Sequence, residues 1–143
     1  MVFVKRADDH RYVLLNRAGE QTLGYSREDV IGRTDADFYS PQQAAIYAQR
    51  DRDLAASGDV HVIEEDLVPR KNGEMAILRT KKIAILDAQG RPEFLLGVSE
   101  DIAERKRLAR EREVYHQFFQ RSINPMFVTD AEGRFAQVNP AFL

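Results

Sequence analysis

Arg79, Lys81 and Lys82 stand out as residues able to do chemistry, because cations on a strand inside a sheet need either water or a partner. They lie in MAILRTKKIAIL (75–86), a long run rich in Ile and Leu that reads as a strand. Alternation puts Arg79 and Lys81 on one face with Ile77, Ile83 and Ile85. If that face lines a pocket, the two cations require a carboxylate or phosphate ligand, or a buried partner such as Glu65. If it faces out, they are ordinary cations whose stems cover apolar surface, and this is the default reading. A second group is His61 with Glu64, Glu65 and Asp66. In a strand His61 does not face Glu64, and Glu64 and Asp66 lie opposite Glu65. No second imidazole supports them, so a polar strand face is expected rather than a metal or acid–base centre. The chain has no cysteine, which removes disulfides, thiolate metal sites and cysteine nucleophiles. SGD and NGE are turns rather than phosphate cradles, and no serine triad is present. The expectation is a protein that is not an enzyme.

The elements that must position these residues follow from local signals. The 143 residues suffice for one ordinary domain, and 43% hydrophobic with 31% charged residues is a globular composition. A net charge of -2 gives no general attraction to nucleic acid or an anionic membrane. No apolar run approaches the roughly 18 residues of a membrane span. The start, MVFVKRADD, is too polar for a signal peptide, and a cytoplasmic location is expected. Residues 1–5 and 11–15 read as a hairpin around a polar turn. Asn16 caps a short helix ending at Gly24, Ser26 caps another turn, and Thr34 and Asp35 begin a third. Ser40-Pro41 opens the best helix of the first half, which closes at Gly58. Its apolar side is Ala44, Tyr47, Ala48, Leu54 and Ala55, and Arg50 to Asp53 read as a solvated face. Tyr39, Ile46 and Tyr47 are expected to point toward the sheet, as core or as pocket lining. From 60 onward three strands alternate with the turns KNGE and DAQG. The fold class is therefore α+β, an antiparallel sheet with its helices grouped on one face. Residues 103–121 form a long charged helix, which Asn124-Pro125 ends.

The end of the chain repeats its beginning. MFVTDAEGRFAQVNPAF (126–142) aligns with VFVKRADDHRYVLLNRAG (2–19), pairing Phe127 with Phe3, Phe135 with Tyr12 and Asn139 with Asn16. A period of one domain length implies a domain (1–102), a helical connector (103–122) and the opening hairpin of a second copy (123–143). That hairpin lacks a core of its own. It is expected to be held by the first domain or by a partner chain.

NRAGEQTLGYSREDVIGRTDADF (16–38), the closing run KNGEMAILRTKKIAILDAQGRPEFLLGVSEDIAERK (71–106) and NPAFL (139–143) together resemble the PAS family with its PAC extension. The resemblance implies a PAS-like five-stranded antiparallel sheet with short helices over a central pocket, followed by a long C-terminal helix. It implies a sensory and signal-relay module coupled through that helix to a histidine kinase or diguanylate cyclase output domain, and a homodimer formed through the connector helix and terminal segments. A ligand-free dimerisation spacer is the alternative. Pocket candidates are Tyr39, Ile46, Tyr47, Arg79 and Lys81; the relay candidates are Asp101, Ile102 and Ala103. Asp101 sits where the last strand becomes the connector and can hold the first helical N–H groups. Ala103 departs from the threonine the family prefers there. Without cysteine a flavin-cysteinyl adduct is excluded. His10, His61 and His116 all lie outside 41–57, where an axial haem ligand is expected, so haem is disfavoured. A small organic anion remains as the ligand to consider.

Overall fold

The computed structural model describes residues 1–143, which divide into two compact units, Met1–Ala103 and Glu104–Leu143. In the first unit, strands β1 (Val2–Arg6) and β2 (Tyr12–Leu15) precede helices α1 (Arg17–Leu23), α2 (Arg27–Val30) and α3 (Pro41–Ser57), with a 3-10 turn at Asp35–Asp37. Strands β3 (His61–Pro69), β4 (Met75–Leu86) and β5 (Pro92–Asp101) complete one five-stranded antiparallel sheet of order β2-β1-β5-β4-β3. This is the α+β, five-stranded architecture expected from the sequence, and helix α4 (Ala103–Arg121) follows it.

The caps explain where the helices start. The Oδ1 of Asn16 accepts from Gly19 N at 2.9 Å, Ser26 Oγ from Asp29 N at 3.3 Å, and Ser40 Oγ from Gln43 N at 3.2 Å. Pro41 occupies the first turn of α3, where its missing N–H costs nothing. Gly58 ends α3 with φ 68°, a left-handed conformation that residues with a Cβ adopt at a cost. Helix α3 buries Ala44, Tyr47, Asp51 and Leu54, a stripe at spacings of three and four residues. Asp51 was expected on a solvated face; it is instead completely buried.

Along β4 the residues Ala76, Leu78, Thr80 and Lys82 face the core, so Arg79 and Lys81 face away from it. Leu78, Leu95 and Leu54 are almost wholly removed from water, each contributing on the order of 1.5–3 kcal/mol. The Phe3 ring lies against Gly97 on the neighbouring strand, and a Cβ at 97 would collide with it. Strand β3 carries one extra residue between Ile63 and Asp66 relative to β4, a bulge at Glu64–Glu65.

In the second unit, α4 runs into a two-stranded hairpin, β6 (Phe127–Thr129) and β7 (Phe135–Val138). Its register repeats that of β1–β2. Phe127 pairs with Val138 as Phe3 pairs with Leu15, and Thr129 pairs with Phe135 as Lys5 pairs with Tyr12. The asparagine after each hairpin makes the same bonds. Asn16 Oδ1 accepts from Val2 N and Gly19 N, and Asn139 Oδ1 accepts from Met126 N and Phe142 N. Asn139 Nδ2 also donates to Ser122 O and Asn124 O, tying the end of α4 to the hairpin.

Candidate functional site

Between the sheet and its helices lies a cavity of about 50 Å³. Its apolar wall comes from Phe3, Leu15, Val68 and Leu78, and its polar wall from a cluster of buried charges. Lys5 on β1 reaches across to the helical layer, where its Nζ donates to Asp35 Oδ2 at 2.5 Å and Asp51 Oδ2 at 2.8 Å. Lys82 on β4 donates to Asp51 Oδ1 at 3.0 Å. Tyr12 on β2 donates its hydroxyl proton to Asp35 Oδ1 at 2.6 Å. Each carboxylate oxygen of the two aspartates thus accepts one bond, and the four charges sum to zero. The cluster binds strands β1, β2 and β4 to α3 and the 3-10 turn. Such a set is tolerated inside a protein only because every charge has a partner.

The electrostatics follow from burial and pairing. Burial acts to lower the Lys5 pKa, but Asp35 and Asp51 outweigh it and hold the ammonium above its ordinary value. Burial pushes Lys82 below its ordinary value, and Asp51 offsets this only in part while Lys5 adds to it. Burial would raise Asp51, yet Lys5 and Lys82 bring it below the usual carboxylate range. Burial, then Asp35, drive the Tyr12 hydroxyl well above its ordinary value. The Lys5 ammonium also lies 4.9 Å from the centre of the Tyr12 ring, and Lys82 lies 5.6 Å from that of Phe3.

Four further polar side chains reach the cavity. Thr80 and Ser99, on neighbouring strands, satisfy each other at 2.7 Å. Asp66 is held by Arg50 Nη1 at 3.2 Å. The Tyr47 hydroxyl is buried and makes no hydrogen bond. Burial, then Asp66, push its pKa up to about 12; nearby Gln43 acts in the opposite direction without bonding to it in acceptable geometry.

Of the expected pocket residues, Tyr39 and Tyr47 line the cavity, their rings packed edge to face at 5.1 Å. Ile46 does not, because it faces solvent on α3 beside the buried stripe. Arg79 and Lys81 do not either. They occupy the odd positions of β4, on the face turned away, where Arg79 Nε donates to Glu64 at 2.8 Å and Lys81 is exposed. Of the β4 cations, Lys82 is the one that enters the cavity. Lys5, Tyr12, Asp35, Asp51 and Asp66 were missed. Lys5 follows Phe3 at the alternation period, and Asp51 completes the Ala44–Tyr47–Leu54 stripe; both were discoverable signals. His61 contacts Ser57 Oγ at 2.9 Å, away from the cavity lining.

At the end of β5, Asp101 Oδ1 accepts from Ala103 N at 3.0 Å, and its Oδ2 takes Arg70 Nη2 at 3.1 Å. Arg70 Nη1 also donates to Thr22 O at 2.9 Å. Ile102 is buried and donates its N–H to Ile77 O at 2.9 Å. The last strand, the β3–β4 turn and the first N–H of α4, that of Ala103, therefore meet at one carboxylate.

An antiparallel sheet with helices over one face and a small polar hollow between them defines a pocket-enclosing α+β domain. The chain belongs to the PAS fold family, whose family model matches residues 1–107. It is 30% identical over 102 residues to the aerobic respiration control sensor protein ArcB of Escherichia coli, covering 71% of this chain. The chain spans only 13% of the length of that relative. Among solved structures it is similar to the PAS domain of Bordetella pertussis BvgS, with a TM-score of 0.62 and 22% identity over 81% of this chain and 86% of that one. It is also similar to the Vibrio cholerae VqmA dimer, with a TM-score of 0.62 and 27% identity over 73% of this chain and 46% of that one. No helix is long and apolar enough to cross a membrane.

Proposed function

We propose that residues 1–102 are a sensory module whose cavity state is relayed through Asp101, Ile102 and Ala103 into α4, and from there to a histidine kinase or diguanylate cyclase output domain. The observation that carries this reading is the buried charge cluster. Lys82 joins α3 to β4, β4 pairs along its length with β5, and β5 ends at the carboxylate that caps α4. A change in the bonding of Lys82 has a short, hydrogen-bonded route to the connector. The similarity to a sensor protein supports the role, as does the similarity, at 26% identity, to a structure of VqmA bound to DPO. The module works as a homodimer, with Leu108, Val114, Tyr115 and Phe118 of α4 supplying exposed apolar surface for the partner. Residues 123–143 open a second domain of the same fold, whose exposed Phe127 and Phe135 correspond to the buried Phe3 and Tyr12. No catalytic role is assigned to any residue.

A second reading, a ligand-free dimerisation spacer, draws on the small cavity, since drug-sized ligands occupy roughly 300–1,000 Å³. Amide hydrogen exchange separates the two. Under the sensory reading, Lys82→Met changes protection in the first turn of α4, residues 103–106. Asp101→Ala uncouples that response while the sheet stays protected. Unchanged exchange at 103–106 in folded Lys82→Met, together with a dimer retaining no small molecule in native mass spectrometry, would establish the spacer instead.

A further inference from the structure

We propose that the cavity takes a small uncharged molecule presenting a carbonyl- or amide-type acceptor to Lys82 and the Tyr47 hydroxyl, rather than an anion. The inference rests on the sensory reading above and names the ligand class for that same cavity.

The unused bonding capacity of the wall is what selects the ligand. Each of the four oxygens of Asp35 and Asp51 already accepts one bond, from Lys5, Lys82 or Tyr12. Thr80 and Ser99 serve each other, and Asp66 serves Arg50. Donors are left over. The Lys82 ammonium carries three N–H groups and has one protein acceptor, Asp51. The Tyr47 hydroxyl makes no hydrogen bond, although Tyr47 is only 6% exposed and Gln43 lies near it. Buried donors without acceptors are costly, so the occupant must accept hydrogen bonds.

Charge decides between a neutral acceptor and an anion. Lys5 and Lys82 are balanced by Asp35 and Asp51, and Asp66 by Arg50. A carboxylate or phosphate would add an uncompensated negative charge to a buried wall whose charges already sum to zero. Arg79 and Lys81, the cations that suggested an anionic ligand, do not line the cavity. Size sets the scale. About 50 Å³ corresponds to a few water-sized sites at roughly 10–15 Å³ each, or a ligand of about four heavy atoms.

The second hairpin supplies an internal control. At the register position of the Lys5–Tyr12 pair it carries Thr129–Phe135, with the same strand pairing and the same asparagine bonds. The hairpin geometry therefore does not require a lysine and a phenol there, and the charged wall belongs to the cavity of the first unit.

The test uses the isosteric pair acetamide and acetate, titrated separately into the isotope-labelled full chain at constant ionic strength and followed by NMR. Acetamide is expected to give saturable shifts centred on Tyr47, Thr80 and Lys82, with acetate at least tenfold weaker. Tyr47→Phe, which removes a hydroxyl with no protein partner and so preserves the fold, is expected to weaken acetamide about five- to tenfold. Lys82→Met is a second variant, interpreted only where its spectrum is that of a folded chain. Acetate binding as tightly as acetamide overturns the ligand class and leaves the sensory reading standing. No saturable binding by either probe overturns the proposal as well, and with no retained small molecule and no altered exchange in α4 it removes the sensory reading too.

Discussion

Replacing Asp51 with alanine is the most informative single perturbation of the buried cluster. The wild-type carboxylate accepts from Lys5 at 2.8 Å and Lys82 at 3.0 Å, and it is fully buried. Its removal leaves Lys82 with no protein acceptor, Lys5 with Asp35 alone, and one net positive charge in the core. Breaking a buried pair from one side costs about 3–5 kcal/mol, whereas a surface Asp→Ala change stays within about 0.5 kcal/mol. For a domain of this size that corresponds to a fall in Tm of at least about 12 °C. Urea denaturation followed by tyrosine signal is a suitable assay, because Tyr12, Tyr25, Tyr39 and Tyr47 lie in the first unit. Replacing both partners, Asp51→Leu with Lys82→Met, removes both charges and is expected to recover most of the loss, a coupling of a few kcal/mol in the double-mutant cycle. The pH dependence has a definite sign. Although burial alone would raise it, the folded Asp51 pKa lies below the unfolded one because Lys5 and Lys82 outweigh burial. Its contribution is therefore complete above the unfolded value of about 3.9 and is lost as pH falls through the folded pKa. The stability gap between wild type and Asp51→Asn should narrow over that acidic range. A cost below about 1 kcal/mol for Asp51→Ala, or a double mutant no better than the sum of the singles, would refute the reasoning.

Other substitutions test separate parts of the structure. Gly97→Ala places a Cβ into the Phe3 ring and is expected to cost about 1–3 kcal/mol by calorimetry, with Phe3→Leu in the same chain recovering part of it. Asn16→Ala leaves Val2 N and Gly19 N without their shared acceptor and should cost about 1–2 kcal/mol; the equivalent Asn139→Ala should speed amide exchange at Met126 and Phe142. Tyr47→Phe removes a buried hydroxyl that bonds nothing, so the ligand-free domain should be unchanged or stabilised by up to about 1 kcal/mol, unlike the loss expected at a bonded tyrosine.

Local features of the fold were readable because their causes are local. Ser40, Pro41 and Gly58 delimit α3 through bonds to residues a few positions away, and KNGE and DAQG specify turns without reference to the rest of the chain. The cavity wall obeys a different logic. Asp51 lies within RDRD, a tetrapeptide that composition assigns to solvent, and the helical stripe through Ala44, Tyr47 and Leu54 assigns it to the core. The two signals conflict, and what resolves them lies elsewhere in the chain, in Lys5 on β1 and Lys82 on β4. Asp66 was hidden for another reason, since the bulge at Glu64–Glu65 breaks the alternation that had been used to orient β3. Arg79 and Lys81 were given a possible place in the pocket because the Ile residues beside them looked like a core face, yet the core face of β4 is the one that carries Ala76, Thr80 and Lys82. A strand can present its bulkier apolar residues outward when its inner face must hold paired charge. The two hairpins make the same point within one chain. Register and asparagine bonding are retained where Lys5–Tyr12 gives way to Thr129–Phe135, so backbone geometry and pocket chemistry are specified by different residues. The chemistry of this pocket is therefore set by which distant partners complete one another's charge, so substitutions at Asp51 or Lys82 change its polarity and the stability of the fold together, whereas Tyr47→Phe changes its polarity alone.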